Sequence, residues 1–259
     1  MGAKQKLLTT AFIMVSGCMM ISSCVRSIHS VSFDEGENVV ESRNLKGFDK
    51  IMINGSPTVY YTQTDSFSVK VKGPQNVISD ILTDTEGDAL VIRNRGKFGV
   101  FNVSFNDNVS VHVSSPDLVS VILNGSGDFF SDKQIDTDKM SVTLRGSGDV
   151  KIEDLLCDRC DVELIGSGDL VINRLEAKDC SAALVGSGDI DLNLYHVDHT
   201  WLSVRGSGDI DASFDKNCLQ AECELNGSGD ISVSGKLKKF SQQTHGSGSV
   251  DTSKLLVEK

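Results

Sequence analysis

Seven copies of Gly-Ser-Gly divide the second half of this chain, beginning at Gly125, Gly146, Gly166, Gly186, Gly206, Gly227 and Gly246. The spacings are 21, 20, 20, 20, 21 and 19 residues, and Asp follows every copy but the last. A unit of about 20 residues is too short to bury an apolar face alone and must lie against copies of itself. The expected fold is an all-β, single-domain β-solenoid, β-helix-like, whose coils each turn at a Gly-Ser-Gly-Asp corner. With 259 residues and 39% hydrophobic content, the chain has enough apolar material for such a core.

Counting each repeat from its first Gly as position zero exposes the register. Val150, Ile152, Leu155, Cys157, Cys160, Val162 and Leu164 recur in the next repeat as Leu170, Ile172, Leu175, Ala177, Cys180, Ala182 and Leu184. Two alternating runs per repeat predict two β-strands with one face inward. Carried across the junction, the alternation points both glycines of each corner inward: Gly125 and Gly127, Gly146 and Gly148, Gly166 and Gly168, Gly186 and Gly188, Gly206 and Gly208, Gly227 and Gly229. The expected reason for glycine is a narrow coil interior that leaves no room for a Cβ, or a turn that needs positive φ. The last repeat carries Gln242 and Thr244 at core positions, as a polar terminal coil should.

Residues 45–124 repeat the pattern less regularly. Phe48, Ile51 and Ile53 lead into Asn54-Gly55-Ser56-Pro57 and then Val59 and Tyr61, a degenerate first copy. Alternating runs at 67–71, 90–92, 109–113 and 118–123, separated by turn residues, read as longer irregular coils continuous with the regular ones, 125–259.

The first residues form a segment of their own. Lys4 and Lys6 precede the apolar run Leu7 to Val15, the pattern of an export leader over 1–23. Two sites match a bacterial lipobox, Val15-Ser16-Gly17-Cys18 and Ile21-Ser22-Ser23-Cys24. Cys24 is the favoured lipidation site because the sequence turns polar after it, with Cys18 as the alternative and a plain leader with incidental cysteines as the third possibility. Residues 24–44 would then be a lipidated Cys and a polar tether.

The tandem Gly-Ser-Gly-Asp coils, the preceding Phe48-Asp49-Lys50-Ile51-Met52-Ile53-Asn54-Gly55 and the lipoprotein-like leader resemble the head GIN domain family. Its members are exported β-solenoid proteins of the Bacteroidetes labelled auto-transporter adhesins. The resemblance covers roughly residues 45–250. It implies a fold similar to pectin-lyase-like solenoids, no established catalytic set, and a place on the outer membrane or cell surface of a Gram-negative bacterium. The chain departs from the auto-transporter label, since no C-terminal membrane barrel is seen after Gly246 and anchoring falls to Cys24.

Each candidate chemistry meets a structural alternative. Cys157-x-x-Cys160 with Cys180, Cys218 and Cys223 invites a zinc or redox reading. All five nonetheless fall in core columns, so small buried hydrophobes are expected. Asp128, Asp149, Asp169, Asp189, Asp209 and Asp230 form a ladder that suggests weak cation binding. One carboxylate per coil supplies too few oxygens for calcium, so an Asx-type turn, with each Asp bonded within its own corner, is the expected role. The periodic acids and the scattered His112, His196, His199 and His245 assemble no catalytic group. Neither a cofactor nor a metal is expected.

The expected function is a non-catalytic exported surface lipoprotein, an adhesin or structural module using a solenoid face for contact. The alternative is a carbohydrate-binding or degenerate polysaccharide-active solenoid protein. A net charge of −11 argues against nucleic acid. On the strand entering the Gly corner, outward positions carry Ile165, Ala183, Val185 and Trp201, flanked by Arg145, Arg205 and Glu163. The other strand is more polar, with Lys151, Asp191 and Asp211 around Val171. An apolar stripe with a charged rim predicts a protein contact. Self-association is expected, trimeric by the adhesin label, unless Leu255-Leu256-Val257 or an N-terminal segment folds back over the stripe. With one Trp and three Tyr, the chain is poor in the aromatics a saccharide reader displays.

Overall fold

The computed structural model describes residues 38–95 and 109–258. The expected leader, both lipidation candidates Cys18 and Cys24, and the first part of the tether lie outside the described residues.

Each regular coil has an arriving strand that ends in the first Gly of a corner and a leaving strand that begins just after it. The arriving strands are β10 (Lys139–Gly146), β12 (Arg159–Gly166), β14 (Asp179–Gly186), β16 (His199–Gly206), β18 (Gln220–Gly227) and β20 (Lys239–Gly246). The leaving strands are β11 (Val150–Leu156), β13 (Asp169–Glu176), β15 (Asp189–Tyr195), β17 (Asp209–Phe214), β19 (Ile231–Leu237) and β21 (Val250–Val257). Arriving strands pair in parallel with one another, as do leaving strands, so the coils stack as two facing sheets with one apolar core between them. Identical positions meet, Val162 against Ala182 and Leu164 against Leu184, which keeps each apolar column continuous. A register shift between Ile152 and Asp154 takes up the extra residue of the 21-residue repeat before it, and further shifts fall between Ile172 and Leu175 and between Ser232 and Ser234.

The N-terminal end departs from the expected run of continuous coils. Its strands are β1 (Asn38–Arg43), β2 (Lys50–Gly55), β3 (Thr58–Gln63), β4 (Ser68–Pro74), β5 (Ile81–Glu86), β6 (Ala89–Asn94), β7 (Ser110–Ser115), β8 (Ser120–Gly125) and β9 (Phe129–Asp136), with one short helix, α1 (Gln75–Ile78). The coil β2–β3 lies between β6–β7 on one side and β8–β9 on the other. Stacking order and chain order therefore differ here: the outermost coil comes second in sequence. Antiparallel strands finish the stack, β4 on β7 and β1 on β4 in one sheet, β5 on β6 in the other. Asn38–Arg43, near the end of the segment expected as tether, are thus a strand. Val39 and Val40 suit a pleated edge, and β1 covers the polar edge of β4.

The corners need glycine for one of the two expected reasons, positive φ, and for a third that the sequence did not suggest. The first Gly of each corner has positive φ, +142° at Gly146 and +136° at Gly186. Its carbonyl points along the stack and accepts the Ser N–H of the next coil, Ser187 N to Gly166 O at 2.8 Å and Ser207 N to Gly186 O at 2.8 Å. A Cβ on Gly186 would overlap the Gly166 carbonyl oxygen, and one on Gly188 would overlap the Gly168 carbonyl oxygen. The constraint lies between coils, not in a narrowed interior: the second Gly is buried, the first only half so.

Asn94 closes this seam at the N-terminal end. It pairs in position with Gly55, and its side-chain oxygen accepts the Ser56 N–H at 2.9 Å, as a glycine carbonyl does elsewhere. At the other end, β20 and β21 are edge strands, and Gln242 and Thr244 occupy the columns of Cys223 and Leu225 as expected.

Candidate functional site

The core columns hold all five described cysteines as free thiols. Cys160 lies beside Cys180 in register, and its contacts with the Cys157 and Cys180 thiols, together with burial, hold its pKa well above the ordinary thiol value. Burial pushes the Cys223 thiol up to about 12. Thiols held protonated in an apolar core are poor nucleophiles and poor ligands. Among the described residues no group of His, Cys, Asp and Glu is placed to hold a metal ion.

The Asp ladder is bonded, but between coils and not within each corner as expected. Asp149 N donates to Asp128 Oδ1 at 3.2 Å, Asp209 N to Asp189 Oδ1 at 3.2 Å, and Asp230 N to Asp209 Oδ1 at 2.7 Å. Ser249, standing where the seventh Asp would be, donates both its N–H and its hydroxyl to Asp230 Oδ1. Five of the six carboxylates, all but Asp169, accept an amide of the following coil, which relieves the repulsion that a bare row of acids would feel.

The outer face of the arriving sheet holds the expected stripe. Ile165 and Val185 are neighbours in register and are 36% and 41% exposed. Ala183 and Trp201 are half-buried and continue the stripe diagonally across β14 and β16. Arg145 reaches Glu163 at 3.1 Å beside the pair, and Arg205 follows Val185 in the same column. The C-terminal Leu255-Leu256-Val257 does not cover this stripe, because β21 pairs with β19 in the opposite sheet. Around Trp201 the face is hollowed into a cleft of about 430 Å³ with a polar rim.

The outer face of the leaving sheet holds a group that the sequence reasoning missed. His112, Tyr60 and Phe130 meet across three adjacent strands, with ring centroids 5.1 Å apart for Tyr60 and His112 and 5.5 Å for Tyr60 and Phe130. Tyr60 is 39% exposed. Their rings lie face to face along the stack, so they offer edges outward and keep their faces for each other. The His112 imidazole is held below its ordinary pKa by burial and by Lys72 and Lys70. Tyr60 and Phe130 both stand five residues after a corner glycine, Gly55 and Gly125, and that shared offset was the available signal. Farther along the same face, Asp191 and Asp211 are neighbours, and burial together with the Asp211 charge raises the Asp191 pKa. The scattered histidines form no cluster: His196 and His199 are exposed at one turn of the coil that begins at Gly186, with His196 3.3 Å from Glu176, and His245 is exposed on the last arriving strand.

This architecture defines a repeat protein of the β-solenoid class, offering two long sheet faces. The chain belongs to the family described as "Putative auto-transporter adhesin, head GIN domain", whose profile matches residues 47–218 and again 198–259. Among solved structures, a putative adhesin from Bacteroides fragilis is similar at 23% identity with a TM-score of 0.74, covering 83% of this chain and 96% of that one. A protein from Parabacteroides distasonis titled a putative lipid binding protein is similar at 24% identity with a TM-score of 0.65, over 83% and 96% of the two chains. A putative adhesin from Parabacteroides merdae is similar at 18% identity with a TM-score of 0.62, over 83% and 95%. At these identities the likeness shows the fold. No curated protein matches the chain. No helix of the described residues is long and apolar enough to cross a membrane.

Proposed function

We propose that this chain is a non-catalytic surface adhesin module, lipid-anchored through Cys24 at the outer membrane, which makes its contacts through the outer face of the arriving sheet. The observation that carries the reading is the exposed Ile165–Val185 pair, continued by Ala183 and Trp201 and edged by Arg145, Glu163 and Arg205. An apolar strip with a charged rim, on a face otherwise polar, suits a second copy of the chain, and a trimer is the expected assembly. Light scattering on the full chain is the test. A monomer at tens of micromolar, or an oligomer indifferent to Val185→Asp, removes the interface. The anchor is tested separately: Cys24→Ala should free the protein from the membrane fraction, whereas release by Cys18→Ala alone would move the lipid to Cys18.

A second reading, a saccharide-binding solenoid, is favoured by the cleft at Trp201. That indole makes no ring contact with another aromatic side chain among the described residues, unlike Tyr60 and Phe130.

A further inference from the structure

We propose that the cleft around Trp201 binds the ring of a neutral saccharide. The inference deepens the second reading above and rests on it. Trp201 is the chain's single tryptophan and stands in the middle of the stack, on β16. Its neighbours in register are Ser181 on one side and Glu222 on the other. A serine is too short to cover an indole, so a ring-sized space opens beside it, and the cleft of about 430 Å³ lies there. Its size falls within the range that takes small ligands, roughly 300–1,000 Å³.

The rim supplies what a sugar's hydroxyls need. Asp179, Ser181, His199, Gln220 and Glu222 line the cleft, and none of their side chains has a hydrogen-bond or ion-pair partner among the described residues. Unspent donors and acceptors gathered around one free aromatic face suit a ligand that is apolar on one side and hydroxylated at its edge. A pyranose is such a ligand: its C–H face packs on the indole while carboxylates, amide and imidazole meet its hydroxyls.

Charge selects among sugars. Asp161 is held bidentately by Arg159, at 2.8 and 2.9 Å, so those two charges offset each other. Asp179 and Glu222 remain, and they disfavour a uronate, sulfate or phosphate ester. No other coil repeats the arrangement, since the Trp201 column carries Ser120, Ser141, Asp161, Ser181, Glu222 and Ser241 in the neighbouring coils. The site is therefore single.

Because Trp201 is the single tryptophan, its fluorescence reports on the cleft directly. The full chain is titrated with methyl α-D-mannopyranoside, methyl β-D-galactopyranoside and N-acetyl-D-glucosamine, with D-glucuronate as the charged control, and is also probed on an array of neutral oligosaccharides. The expected result is a saturable emission change with a neutral sugar, one site per chain, and glucuronate weaker by about tenfold or more. Glu222→Ala and Gln220→Ala keep the indole and should each weaken binding by about tenfold. Lys151→Ala, on the outer face of the opposite sheet, lies outside both the cleft and the stripe and should leave the titration unchanged. Flat emission with an empty array, a preference for glucuronate, or binding unmoved by both cleft variants overturns the inference. A flat titration in a chain whose self-association still fails on Val185→Asp sinks the saccharide site alone, and saturable sugar binding by a monomer sinks the interface alone.

Discussion

In the regular stack, 139–257, each coil lies on the coil that precedes it in sequence, whereas at the N-terminal end the coil β2–β3 is flanked by partners drawn from farther along the chain. Lys50 pairs with Ala89 on one side and Ser120 on the other, while Arg159 pairs with Asp179, one repeat away. The first region repeats one short rule, and its glycine corner is built from backbone alone. The second is assembled by long connections and ends in antiparallel strands, and a side chain, Asn94, stands in for the missing corner. A periodic sequence thus specifies neighbours only where stacking follows chain order. Where it does not, side chains take over work that the repeat otherwise leaves to the backbone.

The comparison breaks most readily at the corners. Gly188→Val places a side chain on the Gly168 carbonyl in mid-stack, where backbone on both sides prevents relaxation, and should cost on the order of 4 kcal/mol or prevent folding. Gly87→Ala, at an N-terminal turn with φ +64° and open space around it, should cost only about 1 kcal/mol. Similar melting midpoints for the two would deny that the stack sets the difference. Asp189→Asn keeps an acceptor for the Asp209 amide and should cost less than either glycine change.

Asn94→Ala removes the acceptor of the Ser56 N–H and should cost about 1–2 kcal/mol. The loss should be local. Hydrogen exchange should speed at Ser56 and stay slow at Ser167, whose acceptor is the Gly146 carbonyl. Equal loss of protection at both would mean that the two regions unfold as one unit.

The smallest expected effect lies on the leaving sheet. Burial and the Asp211 charge raise the pKa of Asp191 in the folded state, so its ionised form is disfavoured there. The resulting penalty is present above that pKa and vanishes below the unfolded value near ~4. Asp191→Asn should therefore raise the melting midpoint slightly near pH 7 and leave it unchanged near about pH 3. A midpoint lowered near pH 7 would show that the charge is stabilised by something else.

How much could be read beforehand follows the same division. The core columns from Val150 to Leu225, the buried cysteines and the stripe of Ile165 and Val185 were legible because a fixed offset from a glycine fixes the face of every residue. The ladder of Tyr60 and Phe130 was legible by that offset as well. His112 was not, because its coil has Asn94 in place of the marker glycine and returns out of chain order. β1 carried no repeat signal, since a lone antiparallel strand has no copy of itself to match. The cleft at Trp201 was hidden for another reason: which polar side chains lack partners is a property of packing, and the 21-residue repeat blurs the alignment of Gln220 and Glu222 with His199 and Trp201.

The permuted N-terminal coil also sets the order in which the molecule can form. Adding a regular coil closes a loop of about 20 residues against a template already in place, whereas seating β2 on β8 brings together Lys50 and Ser120, 70 positions apart. The longer closure costs about 1 kcal/mol more in chain entropy, and it gains nothing until β8 exists to receive it. In a refolding experiment with pulsed hydrogen exchange, Val162 should become protected before Ile51. For a chain delivered N-terminus first, β2 can meet β6 on one edge but must wait for β8 on the other, so the earliest coil to emerge is enclosed only after two later coils have followed it.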